Sequence, residues 1–187
     1  PAIHKYFGSY GYSLFSVDES ELLSILEKKD FDGLNVTIPY KITVMPHLDF
    51  ISDEAKKIGS VNTIVNKNGA LYGYNTDYFG FMKILEKIEC NPKDKKVIVL
   101  GSGGASKAVT AVFRDLEARK IIVISRNGEN NYGNISKHFD AAIIVNTTPV
   151  GKFPSNGEKP LETDSFKKLE AVVDINYNPI CSELLVE

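Results

Sequence analysis

Apolar positions fall into two textures along the chain, and the change between them lies near residue 92. Before it the runs are short and interrupted. Residues 12–17 alternate like a short strand, and Asp18 then opens a helix. Glu21, three residues on, completes a capping-box pattern, and Leu22, Leu23 and Leu26 supply the apolar face. Residues 34–38 alternate again, so this opening region reads as a βαβ-like unit. Residues 61–65 and 71–74 flank "NKNG", whose Asn68-Gly69 pair is a hairpin signal because both residue types tolerate positive φ. A helix over 78–88 follows, with Phe81, Leu85 and Ile88 at i, i+4 and i+7. The polar, proline-bearing stretch "ECNPKDKK" closes this half, giving expected domains of 1–92 and 93–187.

The second half is more regular. "KVIVL" suits a fully buried parallel strand. A glycine-rich turn follows, then a helix with Ala105, Ala108, Val112 and Leu116 on one side, and "KIIVIS", "AAIIVN" and "AVVDI" supply three more strands. The expected fold class is α/β: an N-terminal α/β domain followed by a C-terminal Rossmann-type, doubly wound parallel sheet. The weak link is 127–140, where "NGENNYGN" has poor helical character in a stretch that must provide a crossover.

Composition narrows the function only by exclusion. A chain of 187 residues that is 43% hydrophobic can build a sizeable core. Its net charge of −2 offers no basic surface for nucleic acid or anionic lipid. No apolar run approaches the roughly 20 residues that cross a bilayer. Cys90 and Cys181 have no His or Cys neighbours at ligand spacing, and no secretory signal is visible. The expectation is therefore free thiols in a reducing cytoplasm and no bound metal.

Candidate chemistry concentrates in a few motifs. In "VIVLGSGGASKAV", Gly101, Gly103 and Gly104 stand between a strand and a helix, with Ser106 at the third glycine position of G-x-G-x-x-G. Glycines there let backbone N–H groups approach a pyrophosphate at the helix N-terminus. An NAD site places a carboxylate about 20 residues further on. This chain has Ser125-Arg126-Asn127 instead. A guanidinium pairs bidentately with a 2′-phosphate, so NADP is the expected dinucleotide. The alternative is a solvated arginine at a strand end.

In the first half, "NVTIPYK", "GSVNTIV" and "GYNTDYFGF" put short hydrogen-bonding side chains at strand ends and a strand-to-helix junction. Pro39 has no N–H to continue a ladder, and Lys41 follows directly. Each residue also has an ordinary reading. Asp77 suits a helix N-cap, Asn62 a hairpin edge, Thr37 a strand, and Lys41 the surface.

Taken together with "GSGGAS", "NTTPVG" and "VVDINYNP", these motifs stand in the order and spacing of the shikimate dehydrogenase family, which the chain resembles over nearly its whole length. The opening "PAIH" is similar to the continuation of that family's N-terminal motif. The resemblance implies a substrate domain and an NADP-binding Rossmann domain facing one cleft. It implies the reversible NADPH-dependent reduction of 3-dehydroshikimate to shikimate, a step of aromatic amino acid biosynthesis. Carried over by motif, Lys41 and Asp77 are the catalytic pair, and Thr37, Asn62 and Tyr177 contact the substrate. Gly101, Gly103, Gly104, Ala105 and Arg126 hold the cofactor, with Asn146, Thr147 and Gly151 near its ribose and nicotinamide. Which of Lys41 and Asp77 carries the proton is open at this stage. The implied partner is a small molecule, and oligomeric state is not readable.

The chain departs from the family pattern in four places. The Ser-x-Ser segment expected before "PAIH" and a glutamine-bearing C-terminal helix lie outside the sequence, so a portion of a longer chain is expected. Glu129 and Asn130 stand where a second basic residue is common, and Lys152 where methionine is common. Three other readings remain: a quinate/shikimate dehydrogenase, a non-catalytic paralogue that binds nucleotide or metabolite, and a folate dehydrogenase. Intact Lys41 and Asp77 weigh against the paralogue, and the ordered first-half motifs weigh against the folate enzyme.

Overall fold

The computed structural model describes residues 3–6 and 8–186. In the first half, α1 (Glu19–Lys28) forms where the capping pattern predicts it. The Asp18 carboxylate accepts from the Glu21 N–H at 2.9 Å, and Glu21 accepts from the Asp18 N–H at 3.0 Å. Lys29, at φ 52°, ends the helix in the left-handed region. Leu22 and Leu26 are buried and pack with Val36, Val44, Ala55, Val61, Ile64 and Leu71.

The strands β1 (Gly33–Asn35), β2 (Phe50–Ile51), β3 (Thr63–Lys67) and β4 (Ala70–Tyr74) make a sheet in the order β1-β3-β4-β2, with α2 (Asp53–Ile58) between β2 and β3 in sequence. β3 runs antiparallel to both neighbours, and β2 runs parallel to β4. The hairpin forms as expected, with Asn68 at φ 53° and Gly69 at φ 84°.

The βαβ-like unit does not form. Residues 12–17 are irregular, with Leu14 and Phe15 exposed. They are held instead by Tyr40, whose hydroxyl donates to the Val17 carbonyl at 2.8 Å. Alternating polarity makes a strand only where a partner edge supplies the ladder. The strand expected over 34–38 ends at Asn35, short of the cis Ile38–Pro39 bond.

After α3 (Asp77–Lys87) closes the first half, the second half contains β5 (Lys96–Leu100), α4 (Gly104–Asp115), β6 (Lys120–Ile124), β7 (Ile143–Asn146), β8 (Ala171–Asp174) and α5 (Glu183–Val186). Its sheet is all parallel in the order β6-β5-β7-β8, with every residue of β5 and β7 buried. The chain leaves β5 toward β6, then crosses back to β7 on the other side. In open α/β sheets ligands lie in the crevice at the strands' carboxyl ends, at such a reversal. The crossover is a kinked 3-10 helix, Tyr132–His138, rather than an α-helix. Side chains of Asn131 and Asn134 cap it reciprocally, and Tyr132, Ile135 and Phe139 cover Ile98, Ile122 and Ile144.

Both α2 and α3 pack on α4. Phe81 meets Phe113 edge-on, with ring centroids 5.4 Å apart, and Ile58 packs with Ala108 and Ala111. Asp115 joins the three helices: it accepts from Lys57 Nζ and from the Tyr78 hydroxyl, each at 2.7 Å. The Lys57 hydrogen bond, then that of Tyr78, holds the Asp115 carboxyl below its ordinary range. Burial, then the bond to Asp115, pushes the Tyr78 hydroxyl up to about 12. A carboxyl with a depressed folded pKa contributes stability above its unfolded value, and that contribution is lost as pH falls through the folded one. Urea unfolding is therefore expected to show Asp115→Asn less stable than wild type at neutral pH, with the gap narrowing below about pH 4.

Candidate active site

The path from β1 to Lys41 is fixed at each end by the loop before β3. Val36 N–H donates to the Asn62 carbonyl at 2.8 Å, and Val61 N–H donates to the Lys41 carbonyl at 2.8 Å. Between them the Thr37 carbonyl accepts from Tyr40 N–H at 2.9 Å, closing the proline turn. The turn follows the end of β1 and brings the lysine back toward the sheet.

Lys41 is largely enclosed, its side chain 13% exposed, and its Nζ donates to Asp77 Oδ2 at 2.6 Å. The other carboxylate oxygen, Oδ1, accepts from Asn62 Nδ2 at 2.8 Å. Asn62 is itself buried, and its Oδ1 accepts from the Thr76 N–H at 2.9 Å. Asn62 thus ties the first sheet to the start of α3 and holds the aspartate.

Asp77 is not the cap of its helix. Asn75 Oδ1 takes that work, accepting from the N–H groups of Asp77 and Tyr78 at 3.0 and 3.4 Å. The Asp77 carboxylate is left for Lys41 and Asn62, with its charge beside the positive end of α3.

The glycine loop meets this cluster. Gly101 has φ +103°, and a Cβ there would lie 2.8 Å from Thr147 Oγ1. That hydroxyl donates to the Leu100 carbonyl at 2.6 Å, so the contact is rigid on both sides. Gly103 caps α4 with open space around it. A Cβ on Gly104 would lie 2.9 Å from Cβ of Lys41, so the first residue of α4 rests on the lysine stem. Ala105 lies in the same first turn, and Ser106 is buried, as close helix packing requires. A glycine-rich cradle at the N-terminus of a 12-residue helix, open at Gly103, fits a pyrophosphate.

The remaining residues, Thr37 apart, lie along the same carboxyl edge of the parallel sheet. Arg126 is exposed just beyond β6. Asn146, at the end of β7, is fully buried. Its amide donates to the Val150 carbonyl and to Asp174, each at 3.1 Å, while its oxygen accepts from the Thr148 N–H and hydroxyl. Gly151 is buried at φ +83°, where a Cβ would lie 3.0 Å from the Glu158 carbonyl. Asn146 and Gly151 thus shape the loop that carries Thr147. Tyr177 is 82% exposed on the loop after β8, and Thr37 is exposed on the turn before Lys41. Both stand outside the hydrogen-bonded cluster around Asp77.

Ser60, Asn75 and Thr76 also belong to this region; "GSVNTIV" and "GYNTDYFGF" contain them, but spacing alone does not single them out. An ammonium beside a carboxylate, walled by a dinucleotide cradle, can exchange a proton with an oxygen whose carbon gains or loses hydride.

Comparison with known proteins places these features in a family. Residues 3–64 match the family described as the shikimate dehydrogenase substrate binding domain. A curated relative, shikimate dehydrogenase (NADP(+)) of Clostridium perfringens (strain 13 / Type A), is 40% identical over 93% of this chain and 70% of its own length. A chorismate mutase/shikimate 5-dehydrogenase fusion protein from Clostridium acetobutylicum superposes with a TM-score of 0.86 at 38% identity, covering 98% of this chain and 73% of that one. Shikimate 5-dehydrogenase of Thermus thermophilus, solved with NADP(H) and shikimate, gives 0.83 at 29% identity, covering 99% and 74%.

Proposed function

The chain belongs to the shikimate dehydrogenase family, and from that premise we propose that it catalyses the reversible NADPH-dependent reduction of 3-dehydroshikimate to shikimate, with Lys41 and Asp77 as the reacting pair. The observation that carries this reading is the 2.6 Å contact between Lys41 Nζ and Asp77 Oδ2, formed where Gly104 of the cofactor cradle meets the lysine stem. Residues 1–92 hold the substrate in this account, and 93–187 hold the cofactor.

NADPH, when bound, supplies the hydride. The residues do the rest. An ammonium has three N–H donors, and Asp77 takes one of them. The others face the substrate oxygen, and Lys41 gives it a proton as the carbonyl carbon becomes a carbinol. In the oxidative direction the neutral amine takes that proton back. Asp77 orients the substrate hydroxyl and keeps Lys41 in place, while Asn62 fixes Asp77 from its other oxygen. Thr37, on the turn before Lys41, and Tyr177, on a loop at the carboxyl edge of the parallel sheet, close around the substrate ring. Lys41 is the more enclosed of the two, its side chain 13% exposed against 32% for Asp77, and that enclosure limits water at the amine and strengthens its contacts. A cytoplasmic setting accords with free Cys90 and Cys181.

Arg126 supports NADP over NAD. It stands exposed beyond β6 where an NAD site would carry a carboxylate. Arg126→Ala is expected to raise the NADP+ KM roughly 10- to 100-fold, the worth of a charge-assisted bidentate contact, while NAD+ kinetics change little. Equal effects on both cofactors would remove Arg126 from 2′-phosphate recognition.

The proposal is tested by offering shikimate or quinate with NADP+ or NAD+ and following reduced cofactor. Turnover should be greatest with shikimate and NADP+. Turnover with quinate and NAD+ alone would contradict it.

A further inference from the structure

Two polar residues beside the reacting pair have no part in the chemistry above, yet they are among the most enclosed in the molecule. Ser60 is 0% exposed and Asn75 is 3% exposed. Burying hydroxyl and amide groups is unfavourable unless their hydrogen bonds are made, and small apolar residues would fill such space without that requirement. The bonds they make run in one line. The Ser60 hydroxyl donates to the carbonyl of Gly104, the first residue of α4, at 3.2 Å. Asn75 Nδ2 donates to the Ser60 hydroxyl at 2.9 Å and to its carbonyl at 3.0 Å. Asn75 Oδ1 then accepts from the Asp77 N–H at 3.0 Å.

The start of α4 therefore touches both members of the pair. It reaches Asp77 through Ser60 and Asn75, and it reaches Lys41 by direct packing of Gly104 on the lysine stem. The hydrogen-bond line ends on the backbone N–H of Asp77, whose carboxylate holds Lys41. The cradle is where anionic phosphates engage the helix N-terminus.

We propose that Ser60 and Asn75 are positioning residues that couple the dinucleotide cradle to the Lys41–Asp77 pair, so that phosphate bound at the start of α4 sets the geometry offered to the substrate. This rests on the reading of Lys41 and Asp77 as the reacting pair. Its consequence is cooperative binding: each ligand pre-orders the contacts that the other uses.

The test uses NADP+ with 3-dehydroshikimate, two oxidised ligands between which no hydride can pass. Calorimetry gives the NADP+ Kd with and without saturating 3-dehydroshikimate, a ratio that inactive protein does not alter. In wild type the ratio is expected to be roughly fivefold or more, in the usual range of coupling between sites. In Ser60→Ala it should fall to about one, with each ligand alone still binding within about twofold of wild type. kcat should drop more than either KM changes, and Ser60→Thr, which restores the hydroxyl, should recover part of the ratio. Should Ser60→Ala fail to fold, Ser60→Cys carries the same measurement, since it fills the buried site with a thiol that is a far weaker donor to the Gly104 carbonyl. A wild-type ratio near one, or an unchanged ratio in these variants, overturns the proposal. Lys41→Ala, assayed alongside, separates the two readings. If it keeps wild-type turnover, the reacting pair is misassigned; if it loses turnover while Ser60→Ala keeps its ratio, only the coupling fails.

Discussion

Lys41→Ala should lower kcat for shikimate oxidation by roughly 10²- to 10⁴-fold, the contribution of a positioned acid–base group. KM for shikimate should move far less, because Asp77, Asn62 and the surrounding loops are left to bind it. The size follows from enclosure: the lysine side chain is 13% exposed, so bulk water is a poor substitute for its amine. Truncation also removes the stem on which Gly104 rests, and a loss of packing must be separated from a loss of chemistry. Lys41→Met does so. It keeps an unbranched stem against Gly104 and has no proton to give, so it should be as inactive as Lys41→Ala while melting closer to wild type. Steady-state kinetics with thermal unfolding of all three proteins decides the matter. A Lys41→Met variant with substantial turnover would show that the lysine acts through packing.

Gly101→Val should abolish measurable NADP+ binding and destabilise the protein, while leaving shikimate binding in place. Two independent facts give the direction. Gly101 has φ +103°, a region costly for any residue with a Cβ and most costly for a β-branched one. The added carbon would also lie 2.8 Å from Thr147 Oγ1, which is committed to the Leu100 carbonyl. Strain of this kind is worth about 1–3 kcal/mol, and each kcal/mol lowers Tm by about 2–4 °C in a protein of this size. Gly103→Ala is the control, because that position has open space around it and no left-handed φ. It should melt like wild type, so any loss of NADP+ affinity would report on the approach to phosphate alone. Calorimetric titration and a melting curve for each variant are sufficient.

Some of this was legible in the residues, and the reasons are local. Asn68-Gly69 forced the hairpin because the turn requires positive φ at both positions, and both residues have it. The Asp18–Glu21 box marked the start of α1 because both halves of the reciprocal bond are encoded three residues apart. The strands of the parallel sheet were visible as runs apolar enough for burial on both faces. Residues 12–17 misled because period-2 polarity reports which side chains are enclosed and says nothing of a pairing edge. The crossover over 127–140 is hard to read from the residues because its backbone is held by Asn131 and Asn134 side chains rather than by helix propensity.

Around the pair, the motif spacing brought Lys41, Asn62 and Asp77 into view, and the structure joins them through one carboxylate. What spacing could not reveal is the division of labour between Asn75 and Asp77. Either side chain can cap a helix, and only rotamers decide that Asn75 does so while Asp77 turns to the lysine. Asn146 shows the same limit: its position in "NTTPVG" is plain, but its amide is directed at Val150 and Asp174, a tertiary fact.

The most direct test follows one atom. Shikimate carrying deuterium at the carbon that becomes the ketone is incubated with the protein and NADP+, and the products are analysed by mass spectrometry. The account predicts that the label appears in the reduced cofactor, one deuterium for each 3-dehydroshikimate formed, with none released to water. Label lost to solvent, or shikimate left unconsumed, would contradict it.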